Sequence, residues 1–475
     1  MTVAEPTNPS VHLAGNKWPV DDERDDADLV VRGTLPHNLQ GIFVRNGPNP
    51  VVIPGARYHV FDGDGMLHAL TIRDGKASYR NRWVRTAGFE LEQAAGRQLF
   101  GGMTDLAGTD RGAAADLRER GETLKNVANT HIVEHAGRLL ALWEAGLPYE
   151  VTRDLGTVGR YDFAGALRGP MTAHPKVDAA TGEMVFFGYQ PFPPYLTLHT
   201  ADATGALVRS VAVDIPNPVM IHDFAITEHY AVFLDAPAVF DLQAGLAGEP
   251  FVQWRPEVGC RLGVIDRTAN TDTTRWFDVE PGFVFHFLNA FEDGDRVHLD
   301  GCRQAGFNMA QSPDEVANPA VTPLTRFTAD LARGVARIEQ LDDRSGDFPR
   351  TADAVIGKPY RYGYIATFDD HSGFGDFTSV TKYDMAGGAS ESYRYGSADT
   401  TGEVVFAADP DGTHEDDGWL LSWVHNHADD ASRVVVLDAR APSDGPVAEV
   451  LLPRRVPFGF HGSWLSANRR MSGRL

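Results

Sequence analysis

The sequence predicts an all-β fold, most simply a propeller of four-stranded sheets. Three observations point that way: short apolar runs bounded by turn residues along the whole chain, little helical periodicity, and strand-rich units recurring every roughly 40 to 60 residues. The runs include GRLLALWE (137–144), GEMVFFGY (182–189), YAVFLD (230–235), RVHLDG (296–301), GEVVFAAD (402–409), WLLSWVHN (419–426) and SRVVVLDA (432–439). Val, Leu, Phe and Tyr dominate them, which suits a pleated, half-buried surface, and none is long enough to read as a helix. Turn chemistry sits between the runs: DAATGE before Met184, DATGA before Leu207, EDGD before Arg296 and DPDGT before His414. The expected product is a series of antiparallel meanders. The best helical candidates are 89–98 and 327–340, with a short polar piece at 113–121.

The 475 residues read as one large unit. A loose arm is expected over 1–20, a single β-propeller domain over 21–465 and a frayed tail over 466–475. The formal charge of −22 and pI near 5.1 argue against nucleic acid, whose phosphates are bound by clustered Lys and Arg. Two cysteines, Cys260 and Cys302, cannot make a disulfide framework, and the first residues lack the basic and apolar regions of a secretory signal. A cytoplasmic location is expected. No run approaches the roughly 18 to 20 apolar residues needed to span a bilayer, so membrane contact is expected to be peripheral at most.

Among 17 histidines, four stand between apolar or small neighbours: His174 in MTAHPK, His222 in VMIHDFAI, His286 in FVFHFLNA and His461 in FGFHGSW. Such neighbours imply burial, and a buried imidazole needs a partner on each nitrogen, which a metal and a carboxylate together supply. Separations of 48, 64 and 175 residues exclude a local finger or a helical His-x-x-x-His site. They suit one ligand per blade, gathered at a propeller axis. On spacing alone, four packing roles fit equally well.

The surrounding words resemble the carotenoid cleavage oxygenase family. GIFVRNGPNP (41–50) with YHVFDGDGMLHAL (58–70) is similar to its opening signature. ANTHIVEHAGRLLALWEAGLPYEV (128–151), TAHPKVDAATGEMVFFGY (172–189), HDFAITEHYAVFLD (222–235), FHFLNAFEDGDRVHLD (285–300), EDDGWLLSWVHN (415–426) and GFHGSW (459–464) continue it in order. The resemblance implies a seven-bladed β-propeller capped on one face by loops and short helices. It further implies Fe(II) as cofactor, held by His174, His222, His286 and His461 as metal ligands and catalytic centre. Carboxylates behind the ligands fix ring orientation, and Glu144, Asp347 and Glu415 match those positions. Asp347 stands where many relatives carry Glu, so a water or a backbone shift is expected to bridge the missing methylene.

The activity so implied is cleavage of a conjugated C=C bond by O2 into two carbonyl compounds, with no general base. A carotenoid or apocarotenoid is the expected substrate, with GYQPFPPYL (188–196) and FLDAPAVFDL (233–242) supplying apolar lining. A hydroxystilbene or related phenylpropanoid alkene is the alternative. Lys125 lies near the lysine with which stilbene-cleaving relatives hold a phenol, although their tyrosine is not evident in LFGGMTD (99–105). A retinoid isomerase and a non-catalytic scaffold remain further readings. Oligomeric state is open.

Overall fold

Antiparallel strands carry nearly the whole chain in the computed structural model, which describes residues 10–55, 57–310, 312–368 and 375–467. The runs picked out above form strands Arg138–Leu142, Met184–Tyr189, Tyr230–Asp235, Arg296–Gln304, Asp399–Ala408, Gly418–Asn426 and Ala431–Asp438. The turns fall where Gly and Asp cluster. Gly182, Gly205 and Gly294 take φ of 73°, 86° and 57°, a left-handed backbone that glycine enters without steric cost.

Three four-stranded sheets follow one another over 131–160, 176–213 and 225–279. A seven-stranded sheet covers 283–394, turning on the long strand Val335–Arg350. A five-stranded sheet covers 399–451 and takes Val31–Gly33 onto its edge. The remaining five-stranded sheet joins the two ends of the sequence: Gly462–Ser466 pairs antiparallel with Gly41–Pro48, with Arg45 opposite Gly462 and Ile42 opposite Leu465. The innermost strands adjoin in succession. Ala225–Ile226 lies beside Phe283–Asp293, which lies beside Val335–Arg350, then Asp399–Ala408, then Gly462–Ser466, then His131–His135.

The sheets pack through apolar faces in which Phe186, Phe187, Phe224, Phe233, Phe283 and Phe327 are fully buried. Each such ring contributes roughly 1.5–3 kcal/mol by leaving water. Cys260 and Cys302 are buried and free.

Two helices of nine residues interrupt the strands, α1 (Ala87–Ala95) and α2 (Arg111–Glu119), close to the expected 89–98 and 113–121. Thr86 Oγ1 accepts from Phe89 N at 3.2 Å, and Asp110 Oδ1 accepts from Gly112 N and Ala113 N at 2.9 and 3.1 Å, satisfying donors that a helix start leaves unpaired. The expected helix at 327–340 is instead a hairpin between Pro323–Asp330 and Val335–Arg350, with Phe327 opposite Ile338. Gly334, at φ 71°, makes the turn, and burial of Phe327 and Ala329 against the sheet outweighs any helical preference.

The arm expected to be loose is packed over its described part. Ser10 Oγ donates to Tyr58 O at 2.5 Å, His12 Nε2 meets Ala310 O at 2.9 Å, and Leu13 is buried. Residues 1–9, and 468–475 of the expected tail, lie outside the described residues; Ser466 ends the last strand and Ala467 N donates to Gln40 O at 2.9 Å. No helix among the described residues is long and apolar enough to cross a membrane.

Candidate metal centre

Four strand ends deliver the four histidines to one point. His174 precedes the strand Lys176–Val177, His222 precedes Ala225–Ile226, His286 lies in Phe283–Asp293 where its register shifts, and His461 precedes Gly462–Ser466. All four are buried, and one nitrogen of each lies within 4.8 Å of the others. Neighbouring ring centroids are 4.5 Å apart for His174 and His461, 4.6 Å for His174 and His222, 4.7 Å for His286 and His461, and 5.1 Å for His222 and His286. A fifth buried imidazole, His131, packs 5.3 Å from His461, but its nitrogens face the carbonyls of Ala173 and Gly462, so it stands outside the set.

Three carboxylates hold the outer nitrogens. Glu144 Oε2 lies 2.7 Å from His222 Nδ1, Asp347 Oδ1 lies 2.8 Å from His286 Nδ1, and Glu403 Oε1 lies 3.0 Å from His461 Nδ1. Among the described residues no carboxylate bonds to His174. Asp347 reaches its histidine directly, without a bridging water, because the backbone shifts there: register breaks between Asp347 and Arg350, and Phe348 has φ 53°.

Glu415 does not take the expected place. It accepts from the backbone N–H groups of Arg361 and Tyr362 at 3.0 and 2.7 Å, in a turn away from the histidines. Glu403 does the work instead, because its strand, Asp399–Ala408, adjoins the strand that His461 begins. Its second oxygen accepts from Gly462 N at 2.7 Å, and Arg350 lies 3.7 Å from the first. A signal for it was present: an acid beside the apolar run VVF.

Asp223 is a second missed residue. One oxygen accepts from Lys176 Nζ at 2.7 Å and Phe224 N at 2.8 Å, and the other from Phe287 N at 2.8 Å. It therefore ties the backbone after His222 to the backbone after His286 and fixes the two rings relative to each other.

The electrostatics keep two of the four imidazoles neutral. Burial, reinforced by the surrounding imidazoles, holds His174 and His461 well below the ordinary histidine range, so both keep a free lone pair at neutral pH. Burial also acts to lower His222, but the adjoining Glu144 outweighs it and raises this histidine. With its proton held toward Glu144, the inner nitrogen of His222 presents a lone pair 3.0 Å from His174 Nε2. Such an approach requires a proton or a cation at the pair. His286 Nε2 is buried with no hydrogen-bond partner, which a metal would relieve. Imidazole donors at this spacing therefore fit a divalent transition metal.

A small pocket of about 110 Å³ adjoins three of the rings and is walled by Phe285, Phe348, Phe377, Phe458 and Phe460. A second cavity of about 420 Å³, lined by Tyr58, Met103, Leu124, Lys125, Tyr189 and Phe240 among others, shares Phe61, Trp143 and Glu144 with the first. Those three residues line both spaces.

A β-rich fold whose strands converge on four buried imidazoles, three of them backed by carboxylates, defines a candidate non-haem metalloenzyme. The profile of the family described as retinal pigment epithelial membrane protein matches residues 17–466. Carotenoid 9,10(9',10')-cleavage dioxygenase 1 of Phaseolus vulgaris is 36% identical over 96% of this chain and 90% of its own length. A carotenoid cleavage oxygenase of Mycobacterium tuberculosis is 33% identical over 97% of this chain and 98% of its own. Among solved structures, lignostilbene dioxygenase of Pseudomonas brassicacearum superposes with a TM-score of 0.90 at 29% identity, over 97% of this chain and all (100%) of that one. Cobalt-substituted apocarotenoid oxygenase of Synechocystis does so with 0.85 at 31%, over 94% and 97%. The chain belongs to the carotenoid cleavage oxygenase family and is an enzyme.

Proposed function

We propose that this protein is an Fe(II)-dependent dioxygenase that cleaves one conjugated double bond of a carotenoid or apocarotenoid, with His174, His222, His286 and His461 as the iron ligands. The observation that carries the reading is the juxtaposition of four buried imidazoles with an aromatic pocket that shares walls with a larger apolar cavity. Relatives named for carotenoid cleavage at 33 to 36% identity support the substrate class. The architecture belongs to the same reading: the successive sheets, with the seven-stranded one counted as two, make seven blades of a closed propeller, and residues 21–465 act as one catalytic unit.

When bound, iron supplies binding and activation of O2 beside the alkene. The chain supplies the rest. Glu144, Asp347 and Glu403 each keep a proton on the outer nitrogen of a ligand, which aims the inner lone pair at the centre. Four neutral ligands leave the metal's positive charge uncancelled, and the three carboxylates offset it at one remove. Phe285, Phe348, Phe377 and Phe460 exclude water and hold the reacting double bond near the histidines. Both oxygen atoms of O2 enter the two carbonyl products, so no reductant or organic cofactor is needed.

In this reading Phe61 and Trp143, which line both spaces, set the width of the route between them. Phe61→Trp is expected to leave iron content unchanged while lowering kcat/KM for a long polyene at least about 10-fold, a transition-state loss of roughly 1.4 kcal/mol. Iron analysis and steady-state kinetics on the same preparation check it. The exposed Leu124 at the cavity rim suits peripheral contact with the membrane from which a polyene would come.

One observation favours a second reading, cleavage of a hydroxystilbene. Lys125 lines the large cavity, held between Asp64 at 2.8 Å and Glu92 at 2.7 Å. Burial acts to lower it, but the two carboxylates prevail and keep it charged, with a donor to spare for a phenol oxygen. The deciding experiment incubates the Fe(II)-loaded protein with β-carotene, an apocarotenal and resveratrol and identifies the aldehydes. Aldehydes from the polyenes are expected. Products from resveratrol alone would transfer the assignment to the second reading, and none from any would refute both.

A further inference from the structure

Glu144 differs from the other two carboxylates behind the histidines in what holds it. Asp347 and Glu403 lie in strands, and each also accepts from a backbone N–H: Phe348 N at 2.8 Å and Gly462 N at 2.7 Å. Glu144 stands instead in the turn after Arg138–Leu142, and among the described residues no backbone N–H donates to its carboxylate. A glutamate side chain on a turn has several torsions to immobilise, so holding Oε2 at 2.7 Å from His222 Nδ1 calls for a second tether.

The Tyr189 hydroxyl supplies one. It donates to Glu144 from the wall of the larger cavity, which both residues line. Tyr189 is itself fixed: it ends the strand Met184–Tyr189 opposite Leu196, is 6% exposed, and stacks on Phe240 with ring centroids 5.7 Å and planes 11° apart. Phenylalanine would meet the packing need equally well. A buried phenol O–H also requires an acceptor, and the neighbouring Phe187 and Phe240 rings offer no oxygen. Burial, reinforced by the charge of Glu144, holds this phenol well above its ordinary range, so at neutral pH it keeps its proton and donates.

We propose, on the reading that the four histidines hold a metal, that Tyr189 is a positioning residue of the centre: its hydroxyl fixes the Glu144 carboxylate, which fixes the His222 ring and aims its inner lone pair. The order runs from Tyr189 O–H to Glu144 to His222 Nδ1. Unlike the backbone donors to Asp347 and Glu403, this tether is borne by a side chain of the cavity wall.

Anaerobic titration of the metal-stripped full chain with Co(II), read by visible absorption, tests this without turnover. Tyr189→Phe, which keeps the ring and its stacking, is expected to weaken Co(II) binding at least about 3-fold, less than the 10- to 100-fold lost when a direct partner of a ligand is removed. Glu144→Gln is expected to show that larger loss, and adding Tyr189→Phe to it to cost nothing more, because the hydroxyl acts through the carboxylate. Equal affinity of the wild-type protein and Tyr189→Phe, or a further loss of the same size in the double variant, would overturn the assignment and leave the metal centre standing. No Co(II) binding by the wild-type protein would remove both. A higher KM for the polyene in Tyr189→Phe, with metal affinity unchanged, would give the hydroxyl to the substrate instead. Should Glu144→Gln bind too weakly to titrate, the Co(II) spectrum of saturated Tyr189→Phe decides: a changed ligand field is expected, and an unchanged one counts against the tether.

Discussion

His286→Ala is expected to abolish iron binding and double-bond cleavage together. The ring supplies one of four nitrogens lying within 4.8 Å of one another, and its inner nitrogen is buried with no hydrogen-bond partner. Removing it leaves three ligands and frees Asp347, which now spends one oxygen on His286 Nδ1 and Phe348 N at 2.8 Å each. An acid so placed stays solvated poorly and pulls the strand end out of position, so the remaining rings lose their alignment as well. Metal content by mass spectrometry and aldehyde formation should fall in parallel, while thermal unfolding shifts only modestly because the sheet pairings around 283–293 persist. Full metal occupancy in the variant would show that the four imidazoles are not the ligand set.

Glu403→Gln is expected to weaken iron affinity 10- to 100-fold, whereas Glu415→Gln leaves it unchanged. The contrast follows from geometry. Glu403 is buried and shares its two oxygens between His461 Nδ1 and Gly462 N, with Arg350 nearby; glutamine keeps the size but removes the charge that offsets the metal and can turn an N–H toward the imidazole proton. Glu415 is spent on two backbone N–H groups of a distant turn, so its loss is a matter of local stability, roughly 1–3 kcal/mol at most. Titration of the apo-proteins with Fe(II) under nitrogen measures both. Equal affinities for the wild-type protein and Glu403→Gln would remove Glu403 from the centre, and a loss in Glu415→Gln would restore the sequence-based expectation.

The two glutamates show where sequence reasoning stopped. Both stand in strand-rich stretches of the same sheet region, 12 residues apart, and the resemblance pointed to Glu415. Glu403 stands beside an apolar run, yet that feature acquires meaning only when the strand at 399–408 is known to lie against the one at 462–466. The hairpin at 323–350 was missed for a related reason. Its residues carry a helical pattern locally, and only the cross-strand partner of Phe327 shows why they extend. The packed arm at 10–13 is a third case, since a polar segment gives no local sign that a tyrosine carbonyl and a loop at 309–310 await it.

What the sequence by itself determined is the class of strand, the places of the turns, and the four histidines with apolar neighbours, because alternation, turn chemistry and burial of an imidazole are properties of a few consecutive residues. Only the tertiary structure decided which acid stands behind which ring, and that Asp347 reaches its histidine through a backbone shift. Those are distances between atoms far apart along the chain, and they are set by which sheets adjoin.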